Sequence, residues 1–195
     1  MTYHKIGLLR LSAIGDAVLT VPMVRALQNA YPNAEITWII GRAAYALLSG
    51  LSGIHFIVVD KPKSLRDYYH FWRKMRGYKF DVFIAMQASL RANLMYPLIS
   101  SKRKIGFDKA RAKDGHHLFI NESIAAEKNH LLDGFMGFVR HLGIQQPSKP
   151  SWNLALNEVE LPSSLSLKKP YIIINPAASK YERNWLIERY IELIH

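Results

Sequence analysis

The sequence contains no cysteine, so disulfides and thiolate metal sites are both excluded. No apolar run approaches the roughly 18 to 20 residues of a membrane span, and the first residues do not read as a signal peptide. Gly-x-Gly-x-x-Gly and a Walker lysine are both missing after the first strand-like stretch, which leaves a dinucleotide or P-loop site poorly supported. No Ser/His/Asp or metal-ligand spacing stands out; His116 and His117 are neighbours, not four residues apart, and read as loop residues. Acids are scarce in the middle of the chain. Between Lys61 and Lys113 fourteen Lys and Arg face three acids, Asp67, Asp81 and Asp108, while the remainder holds twelve of each sign. The whole net charge of +11 therefore lies in the centre. Such a field favours a polyanionic partner, namely nucleic acid, anionic lipid or a phosphorylated substrate, although solvated helix faces produce the same count. At 195 residues and 49% hydrophobic content, the chain suits one large domain, or one domain and part of another.

What is present is organised around its opening stretch. Ile6, Leu8, Leu9 and Leu11 form a short apolar run that reads as a buried strand and breaks at the small-residue turn Ser12 to Asp16. Val18, Leu19, Val24, Leu27 and Tyr31 then recur at helical spacing. In α/β sheets ligands bind beyond the carboxyl ends of the strands, where such a turn sits. Asp16 has two compatible readings there. It is an N-cap, its carboxylate facing unpaired backbone N–H groups and the positive end of the helix dipole. It is also a candidate general base, ionised at neutral pH as a base must be. Pro22 leaves the helix start open: either the helix runs from Asp16 and kinks, or it begins near Thr20 as a cap.

Further strands are predicted over Ala34–Ile40, Ile54–Val59 and Phe80–Met86, with helices over Arg42–Ser49 and Ser64–Met75. This alternation implies βαβ units and a mostly parallel sheet with helices on both faces. Gln87 to Ile99 is expected to turn into a helix bearing Arg91 and Asn93. A short strand over Arg103–Asp108 and a basic, mobile loop over Lys109–His117 follow. Lys128–Leu142 is an amphipathic helix closed by Gly143. Four prolines and five serines then mark a connecting segment, with one short strand at Trp152–Leu156. The opening pattern returns after it: a strand at Tyr171–Asn175, a small-residue turn and an amphipathic helix from Asn184. The expected organisation is a Rossmann-like domain over 1–145, a linker over 146–170, and over 171–195 the first strand–turn–helix of a second domain, incomplete in this sequence. Ser179 and Arg183, near that second helix start, form a candidate diphosphate site, with a cap and a solvated first-turn residue as the plainer alternatives.

Arg10-Leu11-Ser12-Ala13-Ile14-Gly15-Asp16, with Thr20-Val21-Pro22, resembles the N-terminal signature of glycosyltransferase family 9, the ADP-heptose:lipopolysaccharide heptosyltransferases. Met86-Gln87-Ala88-Ser89-Leu90-Arg91 is similar to the family's Gln-Gly-x-x-Lys segment, with Ala88 and Arg91 as departures. Lys104-Ile105-Gly106-Phe107-Asp108 with Arg111 resembles a further block. Asn175-Pro176-Ala177-Ala178-Ser179 through Arg183-Asn184-Trp185 resembles the start of its second domain, with Ala177 for glycine and Leu186 for proline. The resemblance implies the N-terminal half of a GT-B glycosyltransferase and an inverting, metal-independent transfer that uses no cofactor. ADP-heptose would be the donor and the anionic inner core of lipopolysaccharide the acceptor. It implies Asp16 as general base, Ser179 and Arg183 on the donor diphosphate, and Ser12, Gly15, Gln87, Arg91, Lys104 and Arg111 toward the acceptor. A cytoplasmic protein held on the anionic inner face of the bacterial inner membrane follows from that acceptor, and no nucleic-acid partner is expected. The alternatives are a GT-B transferase with another nucleotide sugar, and a non-enzymatic basic module that binds nucleic acid.

Overall fold

The computed structural model describes residues 2–125, 130–147, 149–154, 174 and 184–194. The apolar runs form the strands of a single parallel sheet: β1 (Lys5–Arg10), β2 (Glu35–Ile40), β3 (Ile54–Val58), β4 (Lys79–Ala85), β5 (Ser100–Phe107) and β6 (Glu122–Ile124). Their order is β3-β2-β1-β4-β5-β6, the doubly wound order that reverses between β1 and β4. Helices α1 (Ile14–Ala30), α2 (Arg42–Leu48), α3 (Leu65–Met75), α4 (Leu90–Asn93), α5 (Leu131–His141) and α6 (Ile187–Ile194) complete the described elements.

Strand alternation divides the core into two layers. Ile6 and Leu8 of β1 pack with residues of α1, α2 and α5 on one face of the sheet. Leu9 and Leu11 join Phe71 and Met75 of α3 and the Ala92–Ile99 region on the other. Both faces are therefore covered, which is why β1, β2 and β4 read as nearly unbroken apolar runs.

Helix α1 runs straight through Pro22. A proline there cannot donate to the carbonyl four residues back, that of Val18. The indole Nε1 of Trp152 donates to this same carbonyl oxygen at 2.9 Å, so the acceptor is not left empty. Arg25 accompanies it, donating from Nη2 to the Asn153 carbonyl. Residues 152–154 thus run as a non-strand segment along α1, where the sequence predicts a strand over Trp152–Leu156; residues 155 and 156 lie outside the described residues. Thr20, the alternative helix start, instead donates its hydroxyl to the Asp16 carbonyl one turn back.

Other expectations change around β4 and β5. The helix expected within Gln87–Ile99, bearing Arg91 and Asn93, is present as the one-turn α4 and is followed by a 3-10 turn, Tyr96–Leu98. The three-residue β6 extends the sheet in a stretch to which the sequence assigns no element, just after the loop expected over Lys109–His117. Within that loop His116 is wholly buried, not solvated, its Nδ1 2.8 Å from Asn93 Oδ1. Asn93 Nδ2 also donates to the carbonyls of Lys113 and Asp114, so the loop expected to move is pinned to α4.

The chain divides into two compact units, Met1–Asn157 and Glu158–His195. Of the second unit, α6 is described; it buries none of its residues, and Trp185 and Tyr190 meet edge to face at 4.9 Å. Of the strand expected over Tyr171–Asn175 only Ile174 is described, and the following turn with Ser179 and Arg183 lies outside the described residues.

Candidate active site

The carboxyl ends of β1 and β4 flank the point where strand order reverses, and several of the candidate side chains gather there. Arg10 ends β1. Its Nη1 donates to the Met86 carbonyl at 2.6 Å, its Nη2 to Asp16 Oδ2, and its guanidinium carbon lies 5.4 Å from the centre of the Phe135 ring. Gln87, just past β4, grips the opposite side of the turn. Its Oε1 accepts from Leu11 N at 2.8 Å and its Nε2 donates to Ser12 Oγ at 3.4 Å. Tyr96 fixes Gln87 in turn, its buried hydroxyl accepting from the Gln87 N–H and donating to the Gln87 carbonyl. Burial pushes that phenol up from its ordinary value. Gly41 lets the start of α2 approach the same turn: a Cβ there would stand 2.0 Å from the Leu11 carbonyl oxygen.

Asp16 sits at the third position of α1, with Ala13 rather than Asp16 as the N-cap. Its Oδ2 accepts both from Ala13 N, at 3.2 Å, and from Arg10. Oδ1 accepts no hydrogen bond among the described residues, and the side chain remains 29% exposed, open enough to meet a ligand. Beside it Gly15 has nothing within 4 Å of the place a Cβ would take. A part-exposed carboxylate oxygen with no partner among the described residues therefore stands at this turn, the carboxylate oriented by a cation and a backbone amide.

The other sequence-predicted residues are distributed more widely. Ser12 and Gln87 hold the turn together, as described. Arg91 is exposed on α4, and its guanidinium makes no hydrogen bond among the described residues. Lys104 lies within β5, where its Nζ donates to the Tyr96 carbonyl at 2.8 Å and burial lowers its pKa. Arg111 is spent on the loop after β5: its Nε donates to Asp108 Oδ2, its Nη2 to the carbonyls of Ile124 and Ala125, and it covers the Phe107 ring. Ser179 and Arg183 fall outside the described residues. Among the described residues, no group of three or more His, Asp or Glu is placed to hold a metal ion.

Sequence reasoning missed Arg10 as a site residue, although a cation closing a buried strand just before the turn was the available signal. It also missed the cleft beyond β2 and β3. One part, about 440 Å³, is lined by Leu11, Gly41, Arg42, Ala46, Asp60 and Lys61. A second part of about 400 Å³ shares Asp60 and Lys61 and adds Lys63, His70 and Lys74. Arg42 and Asp60 pair across it at 2.9 Å.

Known proteins resemble this chain in both sequence and fold. Over 190 residues it is 34% identical to the lipopolysaccharide core heptosyltransferase OpsX of Haemophilus influenzae, a match covering 95% of this chain and 54% of that protein. Its fold matches that of the Escherichia coli heptosyltransferase WaaC, solved with ADP-2-deoxy-2-fluoro heptose, with a TM-score of 0.76 at 20% identity over 97% of this chain and 64% of the other. A family 9 glycosyltransferase from Veillonella parvula gives a TM-score of 0.76 at 21% identity, over 99% of this chain and 59% of the other. The chain spans about half the length of the curated relatives it matches. The profile of glycosyltransferase family 9 (heptosyltransferase) matches residues 68–195, and with that match the chain belongs to this family.

Proposed function

We propose that the chain supplies the acceptor-side lobe and catalytic base of an inverting heptosyltransferase that moves heptose from ADP-heptose to the inner core of lipopolysaccharide. The observation that carries this reading is the Asp16 carboxylate at the strand-order reversal, tethered through Oδ2 and free at Oδ1 beside the open face of Gly15. In the proposed step an acceptor hydroxyl oxygen forms a bond to the anomeric carbon while its proton passes to Asp16. The bond from that carbon to the diphosphate breaks, and ADP leaves with the electron pair. Arg10 keeps the carboxylate oriented and offsets its charge.

Negative charge grows on the departing ADP. Ser179 and Arg183, with a helix N-terminus, are proposed to stabilise it from a second lobe that 171–195 opens. The apolar stripe that α6 leaves exposed is consistent with such a lobe, because further elements would cover it. On the acceptor side Lys104 and Arg111 are engaged within the fold, so Arg91 and the cleft lysines Lys61 and Lys63 are the proposed contacts for carboxylates and phosphates. A cytoplasmic enzyme working against the inner membrane fits that acceptor; no helix of the described residues is long and apolar enough to cross a membrane.

The test is Asp16→Asn in the full-length protein, assayed as ADP release with a heptose-less core acceptor. Asparagine can still accept the Ala13 N–H, so the fold should persist while turnover falls about 100-fold or more. Retention of most of the rate would reduce Asp16 to a structural acid. Parallel assays with UDP- and GDP-sugars decide the donor.

A further inference from the structure

Helix α3 buries one face and leaves a second apolar line uncovered. Phe71 and Met75 belong to the core, with Tyr68 packed against it. Leu65, Tyr69 and Trp72 are instead 88%, 55% and 37% exposed. Their four- and three-residue spacing makes them one continuous stripe along the helix. The Tyr69 and Trp72 rings lie 5.7 Å apart, and the Arg76 guanidinium stands 5.4 Å from the centre of the Trp72 ring. Tyr68 donates its hydroxyl to the Arg91 carbonyl, which ties α4 to this helix, and α4 and the residue after it bring the exposed Leu90 and Leu94.

The surroundings are cationic. Lys61, Lys63, Arg66, Arg73, Arg76 and Arg91 are all exposed. The two nearest acids in sequence do not balance them. Asp60 is paired with Arg42, and Asp67 is turned back onto the N–H groups of Lys63 and Ser64 as the reciprocal partner in the helix cap. Single exposed apolar residues need no explanation, but a contiguous set marks a contact surface. Nucleic acid would satisfy the cations and leave Leu65 and Trp72 in water. The interface of an anionic bilayer satisfies both sets at once, because it offers phosphates to Arg and a polar–apolar boundary to Trp, Tyr and Leu.

We propose that α3, with the adjoining α4, is the surface on which the chain lies against an anionic phospholipid bilayer. Leu65, Tyr69 and Trp72 enter the head-group layer, and Arg66, Arg73 and Arg76 meet the phosphates. This rests on the transferase reading only for its purpose, a membrane-borne acceptor, and is read without donor or acceptor.

The experiment is flotation of the full chain with vesicles of phosphatidylglycerol and phosphatidylcholine in equal parts, against phosphatidylcholine alone. One variant, Leu65→Ser/Tyr69→Ser/Trp72→Ser, keeps the charge. The other, Arg66→Gln/Arg73→Gln/Arg76→Gln, keeps the stripe. All six side chains are exposed, so circular dichroism should show an unchanged fold. The parent is expected to prefer anionic vesicles by about tenfold or more, and each variant to lose about tenfold. Parent-level binding by the serine variant overturns the proposal, since it reveals adhesion of a polycation alone. Parent-level binding by the glutamine variant, or no preference of the parent for anionic vesicles, overturns it as well. ADP release onto a soluble, delipidated acceptor, which the serine variant should retain, reads the transferase proposal separately.

Discussion

Asp16 divides its labour between its two oxygens. Oδ2 closes the first turn of α1 on the Ala13 amide and meets Arg10, while Oδ1 accepts no hydrogen bond among the described residues. The proposed base and the acid that closes the helix start are thus one residue in one conformation. Gly15 next to it provides an independent probe. Its backbone is helical and no described residue occupies the place of a Cβ, so the described fold does not call for glycine there. Gly15→Ala should leave the melting temperature unchanged or raise it, because alanine favours a helix by up to about 1 kcal/mol. An acceptor that approaches this turn closely would instead meet the added methyl. The expected result for the full-length protein is a KM for acceptor raised about tenfold with the fold intact. Unchanged kinetics would mean that the space over Gly15 holds only water. The motif around Asp16 was legible because its residues are contiguous. Arg10 was harder to assign, since its role depends on Met86, which lies 76 residues away but beside it in the sheet.

Helix α1 shows how an element can depend on a distant segment. Pro22 removes a donor, and the Trp152 indole replaces it at the Val18 carbonyl. Trp152→Phe should therefore destabilise the chain by about 1–2 kcal/mol, the cost of a partly buried unpaired carbonyl plus lost packing. In a Pro22→Ala background the backbone N–H returns, so the same change should cost about 1 kcal/mol less. Equal costs in chemical denaturation of both backgrounds would reduce Trp152 to a packing residue. Strands β1, β2 and β4 were readable because burial on both faces writes itself as apolar runs. Helix α3 was readable from the helical spacing of its apolar residues, and its capping box at Ser64 and Asp67 appears only in the structure. The helix expected within Gln87–Ile99 is present but only one turn long, because Pro97 and the buried polar pair Asn93–His116 favour short turns, and β6 is too short to carry a period. Lys104 and Arg111 share a cause: a basic residue reads alike in sequence whether it faces a ligand or a backbone carbonyl.

At the scale of the whole molecule, two apolar layers on one parallel sheet enclose very few polar side chains. His116 is the one ionisable imidazole among them in the described residues. Its Nε2 lies 3.3 Å from Phe107 N and accepts from it, so the neutral ring carries its proton on Nδ1, toward Asn93 Oδ1. Tyr96 and Phe107 pack against the ring, and His117 is its neighbour in sequence. Burial, with a smaller contribution from His117, holds the imidazole down to about 4 from an ordinary 6.5. Protonation would place an N–H against the Phe107 N–H with no acceptor between them. Between these two values the unfolded chain binds a proton that the folded chain refuses, so stability is fully present above pH 6.5 and declines as the pH falls toward 4. The linked loss is on the order of 3 kcal/mol. Glu122 extends the decline at lower pH. Held down to about 2 by hydrogen bonds from Arg103, it gives up stability as the pH falls from 4.5. The two limbs separate by mutation. His116→Gln should lower stability at neutral pH but flatten the curve between pH 6.5 and 4.5, leaving the steeper fall below it, as denaturant titrations across that range would measure. A parent curve already flat across that range would show that the ring is protonated and solvated in the folded chain, and that the buried joint between α4 and the loop before β6 is not as described.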